Sequence, residues 1–388
     1  MKITENKKGT IAYIGGFELP DKNAAAHRVI QNAKIFLDLG YKTVFFGIDK
    51  KIEADSESIE PIDFYYSCPK KYPSSRKEWV RSLFSFKSTK RLLDSIPDLA
   101  FVIVYNPHAL QQKKIIRYCK KRKIKIISDI TEWYDHAFSL NPVKLIQYID
   151  TNLVMKRYHN KVDGAIVISD WLNDYYHDRI PCLIKLPPLV DINDEKWCHK
   201  IDNKQNTVSF IYSGSPGRNK DRLDIIVQAF CELDKKYNFV LKILGITEQE
   251  FLKKYPNLAS LFYSKKAENK ICFFGQVDHE YSISALMNTD YCIFFRKPIR
   301  SNMAGFPTKF VECKTCGCGL ITNRFSDIEK YVDDNCILLE CFENTSEIKN
   351  AIEHCIIMGR KKHNICDIFH YSNYTACVDT FLNKLINM

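Results

Sequence analysis

Three segments place small residues, a hydroxyl, a cation or a carboxylate where an apolar run gives way to helical periodicity. The first is Tyr212-Ser213-Gly214-Ser215-Pro216-Gly217-Arg218-Asn219-Lys220. Small residues let the backbone approach an anion, N–H groups at a helix start favour it, and Lys220, with Arg218 nearby, adds positive charge. An ordinary strand-to-helix turn with a solvated lysine has the same composition, so the segment alone leaves both readings open. The second is Gly305-Phe306-Pro307-Thr308-Lys309-Phe310-Val311-Glu312. A carboxylate one turn into such a helix can accept hydrogen bonds from two neighbouring ribose hydroxyls, while loop N–H groups and the Thr308 hydroxyl face phosphate. A lone glutamate there is otherwise surface charge. The third, Ser128-Asp129-Ile130-Thr131-Glu132-Trp133, offers Asp129 and Glu132 either as site carboxylates or as a helix cap and its capping partner.

Parallel strands covered by helices would position all three segments. Runs rich in β-branched and aromatic residues at 10–14, 43–48, 101–105, 124–128 and 164–168 alternate with helical spacing, as at 24–39, where Val29, Ala33, Phe36 and Leu37 share a face. The polar stretch 191–206 after Pro187-Pro188 reads as a linker. A second series follows, with strands at 208–212, 239–244, 271–274, 291–295 and 320–322 and helices at 221–233 and 309–315. The fold class is α/β: two Rossmann-like, doubly wound domains, 1–190 and 191–363, facing a cleft at their strand ends, with a closing helix in 364–388 that packs back on the first domain.

The 388 residues carry a net charge of +11. Up to Val190 there are 31 Lys+Arg against 21 Asp+Glu, and beyond it 26 against 25, so a large anionic partner meets the first half. No apolar run reaches the roughly 20 residues of a membrane-spanning helix, and residues 1–10 lack a signal-peptide pattern, which places the protein in the cytoplasm. The 15 cysteines then read as reduced thiols. Cys313, Cys316 and Cys318 have a spacing that suits zinc, but no second Cys/His pair stands near, and no metal is expected. Gly15-Gly16 is not a G-x-G-x-x-G fingerprint, which disfavours a nicotinamide dehydrogenase.

On these motifs the chain resembles glycosyltransferase family 4 along nearly its whole length. That family's second domain is similar in opening with a strand ending in Tyr-x-Gly and a phosphate-binding lysine six residues on, the spacing of Gly214 and Lys220. It also carries a glutamate pair with seven residues between its members. Glu312 stands at the second, ribose-binding position, followed by Cys316-Gly317, and Ala304 stands at the first. Ser215 replaces a common arginine, for which Arg218 substitutes. Asp163-Gly164-Ala165-Ile166-Val167-Ile168-Ser169 and Pro187-Pro188-Leu189-Val190-Asp191 resemble the family's strand and linker at the domain junction.

The resemblance implies the GT-B architecture and a retaining sugar transfer from a nucleotide-diphosphate sugar, without metal or cofactor. It puts Gly15 and Gly16 beside the transferred sugar and Asp129 or Glu132 where relatives carry a histidine. The Pro-Thr-Lys-x-x-Glu form is similar to a branch concerned with bacterial surface polysaccharides, whose acceptors are glycans or lipid-linked sugars. Residues 70–91 mix Lys70, Lys71, Arg76, Lys77 and Arg81 with Trp79 and other aromatics, which suits an anionic membrane surface on its inner face or, equally in composition, a solvated helix. The partners expected are a nucleotide sugar, such an acceptor and a membrane, and not nucleic acid. Ala304 keeps open a non-catalytic subunit, and the fold a sugar-nucleotide epimerase.

Overall fold

The computed structural model describes residues 8–136, 138–198, 207–217, 221–266, 270–360 and 364–388. The chain divides into two compact units. One runs to Val190 and takes in Ala304–Phe306 and His370–Met388; the other comprises Asp191–Met303 and Pro307–Phe369.

In the first unit an eight-stranded sheet has the order Leu183–Lys185, Gly164–Val167, Lys125–Ile130, Leu99–Tyr105, Thr10–Gly15, Lys42–Phe46, Tyr65–Ser67, Glu60–Ile62. All neighbours are parallel except the last pair, which forms an antiparallel edge. The central strands are apolar on both faces because helices cover both, as parallel sheets require. The expected second strand at 43–48 stops at Phe46, and Ile48–Asp49 pairs separately with Lys70–Lys71.

The helix Ala24–Asp38 starts where Asn23 accepts from the Ala26 N–H at 2.8 Å. It buries Val29, Ala33 and Phe36 against the sheet, and also the polar Arg28, Gln31 and Asn32. Toward the C-terminus, the apolar spacing from Asn364 becomes helical only at Thr375–Asn387. That helix sets Val378, Phe381, Leu382 and Leu385 into the first unit's core. A Cβ on Gly164 would lie 3.0–3.1 Å from Leu385 and Phe381, so a glycine permits the close approach.

The second unit has a six-stranded, all-parallel sheet ordered Ile271–Gly275, Phe239–Leu244, Val208–Ser213, Tyr291–Ile293, Gly319–Asn323, Cys336–Leu339. Strand order reverses between Val208–Ser213 and Tyr291–Ile293, and ligands of open α/β sheets bind beyond the strand ends at such a point. All 15 cysteines are free thiols. Those of Cys313 and Cys318 donate to backbone carbonyls, at 3.5 Å from Cys318 O and 3.1 Å from Thr289 O respectively.

Candidate functional site

At the switch point of the second sheet, Val208–Ser213 ends in Gly214 with φ +125°, a conformation that a side chain resists. A Cβ there would also stand 2.5 Å from Lys309 Cε. Ser215, exposed, accepts from Gln276 Nε2 at 3.2 Å. Arg218 and Lys220 lie outside the described residues.

Below this loop sits a buried ionic cluster. Asp221, its side chain 1% exposed, pairs with Lys309 Nζ, accepts from Arg296 Nε at 2.8 Å and accepts from Tyr212 Oη at 2.7 Å. Burial pushes the Asp221 pKa up, but Lys309 and Arg296 outweigh it and hold the carboxyl below its usual range. Lys309 Nζ also stands 4.0 Å above the Tyr212 ring. Two cations are thus fixed around one carboxylate at the end of the strand.

The helix Thr308–Thr315 begins after Pro307 with no side-chain cap. The Phe310 N–H already donates to the Pro307 carbonyl at 3.1 Å, so it is the N–H groups of Thr308 and Lys309 that can meet an anion. One turn on, Glu312 remains partly open and is met by His279 Nε2 at 3.1 Å. His279 opens the helix His279–Met287, which Asp278 caps. Loop backbone, uncapped N–H groups and a positioned carboxylate can together hold a ligand with an anionic end and vicinal hydroxyls. Gly305, half-buried, and Phe306 and Pro307, buried, lead the chain into this helix. Ala304 is buried, and its carbonyl accepts from Ser169 Oγ at 2.7 Å.

In the first unit, Asp129 is wholly buried at the end of its strand. Arg28 donates to it through Nε and Nη2 at 3.0 and 2.8 Å, and Tyr13 Oη donates as well. Its carboxylate is committed to the fold, and no helix begins after it, so the capping alternative falls too. Glu132, half-buried, lines a cavity. Gly15 is a glycine because a Cβ would meet Tyr105 O at 2.5 Å, whereas a Cβ on Gly16 would meet nothing within 4 Å. Of the basic set, Lys70 Nζ turns inward to Thr89 and Lys71 Nζ pairs at the surface with Glu78 at 3.0 Å, while Arg76, Lys77 and Arg81 are exposed and Trp79 is half-buried.

Sequence reasoning missed Asp221, Arg296 and His279 as members of the site. Asp221 reads as the first residue of a helix that in fact starts at Leu223. Arg296 and His279 do follow apolar strands, which is the one signal that marks them.

Residues 191–367 match the family model described as "Glycosyl transferases group 1". No curated protein sequence matches the chain. Among solved structures, sucrose-phosphate synthase from Thermosynechococcus elongatus superposes with a TM-score of 0.70 at 13% identity, covering 98% of this chain and 99% of that one. A glycosyltransferase from Rickettsia africae gives 0.63 at 13%, covering 98% and 99%. Anabaena HepE in complex with UDP and glucose gives 0.57 at 11%, covering 97% of each chain. These likenesses show the fold, which is that of GT-B glycosyltransferases.

Proposed function

We propose that the protein transfers a sugar from a nucleoside-diphosphate sugar to an acceptor, with the donor held by the second unit. The observation that carries this reading is the convergence, at one switch point, of the Gly214 loop, an uncapped helix start, fixed cations and Glu312. A diphosphate needs the first three and a ribose the last. The family-model match over residues 191–367 supports the same assignment.

In this reading Gly214, Ser215, Arg218, Lys220, Thr308 and Lys309 hold the diphosphate and Glu312 the ribose. The donor is a substrate, and no metal or cofactor takes part. Transfer is retaining: the acceptor hydroxyl attacks on the face the nucleotide leaves, and its proton passes to the departing diphosphate, whose charge the cations stabilise. Asp129 acts by positioning, and Glu132 stands at the acceptor.

The acceptor is a glycan or lipid-linked sugar of surface polysaccharide assembly, met at the inner face of a membrane. Exposed Arg76, Lys77 and Arg81 alternate with exposed Val80 and Phe84, and the helix Pro142–Leu153 has no buried residue. Such a surface suits anionic lipid. No helix among the described residues is long and apolar enough to cross a membrane.

The test is a panel of nucleotide sugars scored by thermal unfolding, beginning with UDP-glucose because HepE was solved with UDP and glucose. A ligand at 100 times its Kd adds about 2.7 kcal/mol. For a domain of this size that raises Tm by roughly 5–11 °C. A panel of UDP-, GDP-, ADP- and dTDP-sugars that moves Tm nowhere would overturn the assignment.

A further inference from the structure

A glutamate side chain is long and rotates freely, so a carboxylate that is to choose between ligands must first be held still. Glu312 stands on the helix Thr308–Thr315 with its side chain 17% exposed. Among the described residues that side chain has a single hydrogen-bond partner, His279 Nε2, at 3.1 Å from Oε1. A carboxylate only accepts, so the contact requires the proton on Nε2. One of about four lone-pair positions is thereby filled. Oε2 and the second lone pair of Oε1 stay open to two neighbouring hydroxyls.

His279 is fixed in turn by its own helix. His279–Met287 starts where Asp278 accepts from the Tyr281 N–H at 2.7 Å. One turn on, the buried Ser282 hydroxyl lies 2.6 Å from that of Ser213, the last residue of the strand Val208–Ser213. Ile283 and Leu286 anchor the same helix in the core. Residues three apart on a helix are neighbours on one face, so His279 lies on the side that Ser282 ties down. Ser213 directly precedes Gly214. One short helix therefore joins the strand that presents the glycine loop to the carboxylate one turn into the next helix.

A carboxylate held in this way discriminates by what it is left without. A ribose offers it two hydroxyl donors and a 2′-deoxyribose one. A site built to bond a hydroxyl rejects the analogue that lacks it, because its half-buried acceptor is then left unpaired. That penalty exists only while the acceptor is fixed. Released from the imidazole, Glu312 turns to water, and the two sugars become alike to it.

We infer that His279 is a positioning residue which, acting through Glu312, makes the donor site select a ribonucleotide over its 2′-deoxy counterpart. The inference rests on the donor site proposed above. The experiment is calorimetry on the full chain, at fixed salt and pH, with UDP, GDP and ADP and with dUDP, dGDP and dADP. The base that binds best does so about tenfold or more tightly as its ribonucleotide. His279→Ala loses affinity for the ribonucleotide alone, which brings the ratio within about threefold, and keeps both the deoxynucleotide affinity and Tm. His279→Gln, with an N–H at similar reach, restores most of the ratio. A merely structural role would weaken both nucleotides alike and leave the ratio where it was. That result in His279→Ala, a ratio that His279→Gln does not restore, or a wild type without ribose preference would overturn the inference. A preference that Glu312→Gln removes and His279→Ala leaves intact sinks the role of His279 and keeps the donor site. A wild type that binds no nucleoside diphosphate overturns the donor site, and the inference with it.

Discussion

Replacing Asp221 by asparagine keeps the shape of the side chain and a hydrogen-bond acceptor for Tyr212 Oη, and removes only the charge. Lys309 and Arg296 have side chains 11% and 14% exposed, so both cations then lie in a poorly solvated pocket without a counter-charge. Removing one partner of a buried ion pair typically costs about 3–5 kcal/mol. At about 2–4 °C per kcal/mol for a domain of this size, the second unit's Tm should fall by roughly 6–20 °C. The pH dependence has a defined sign. Asp221 titrates below its ordinary range in the fold, so its contribution is complete above about pH 4 and is lost as pH falls through the folded pKa. Burial already lowers the Lys309 pKa, and Asp221 is the partner that raises it. In the variant that support is gone, the unfolded chain binds more protons, and the deficit should shrink as pH rises toward 10. Thermal and urea unfolding of wild type and Asp221→Asn at pH 6, 7.5 and 9.5 measures all of this. A loss below about 1 kcal/mol at pH 7.5, the worth of an exposed pair, would refute the account of the cluster.

Glu312→Gln and Lys220→Ala should each weaken UDP binding by calorimetry, by about 1.5–3 kcal/mol for a lost charge-assisted hydrogen bond, with Tm unchanged; full affinity in both would show the donor site to be elsewhere. Flotation with anionic vesicles should retain the wild type at low salt and release it as salt shortens the Debye length below about 8 Å. Arg76→Gln, Lys77→Gln and Arg81→Gln together should abolish retention, and Lys70→Gln with Lys71→Gln should not, because the Lys70 ammonium turns inward to Thr89 and that of Lys71 is already neutralised by Glu78. Ala304→Glu should lower turnover and Tm together, since the new carboxylate enters a wholly buried position; a gain in turnover would favour the reading of the native chain as a non-catalytic subunit.

The alternation of strands and helices is legible in the sequence because parallel strands covered on both faces must be continuous apolar runs. Phe239–Leu244 is one, recovered to the residue. What escaped is short or edge-bound. Leu183–Lys185 has three residues and runs straight into the prolines that mark the linker, and Glu60–Ile62 carries Pro61, which an edge tolerates and a central strand does not. The same limit applies to the site. Gly214 and Glu312 are visible because their neighbours in sequence give them context. The charged partners of Asp221 lie 75 and 88 residues away in sequence, at Arg296 and Lys309, and no local pattern links them. Asp129 misled for the same reason. Its strand-end position suggests a reactive carboxylate, and only the arrival of Arg28 from a separate helix reveals a buried ion pair.

The two buried aspartates also bear on why charge is placed at these strand ends at all. A well-packed apolar core is often as stable as a buried ion pair, so stability alone does not explain Asp129 with Arg28 or Asp221 with Lys309 and Arg296. Asp129 is the penultimate residue of its strand and Asp221 follows the end of its own, so both lie toward the edge at which an α/β sheet presents its ligands. At Asp221 the effect is to fix two cations beneath the Gly214 loop. In the donor site proposed above, cations held by a buried counter-charge would need no reorganisation when a diphosphate arrives or departs, and preorganised charge of this kind lowers a barrier to such a departure. At Asp129 the cation is the buried partner and its further donors are spent on the Leu186 and Pro187 carbonyls, so the pair ties the helix Ala24–Asp38 to the chain at 186–187. On the function proposed above, the same chemical pairing serves binding in one sheet and rigidity in the other, and the difference lies in whether a glycine loop and a helix start open beside it.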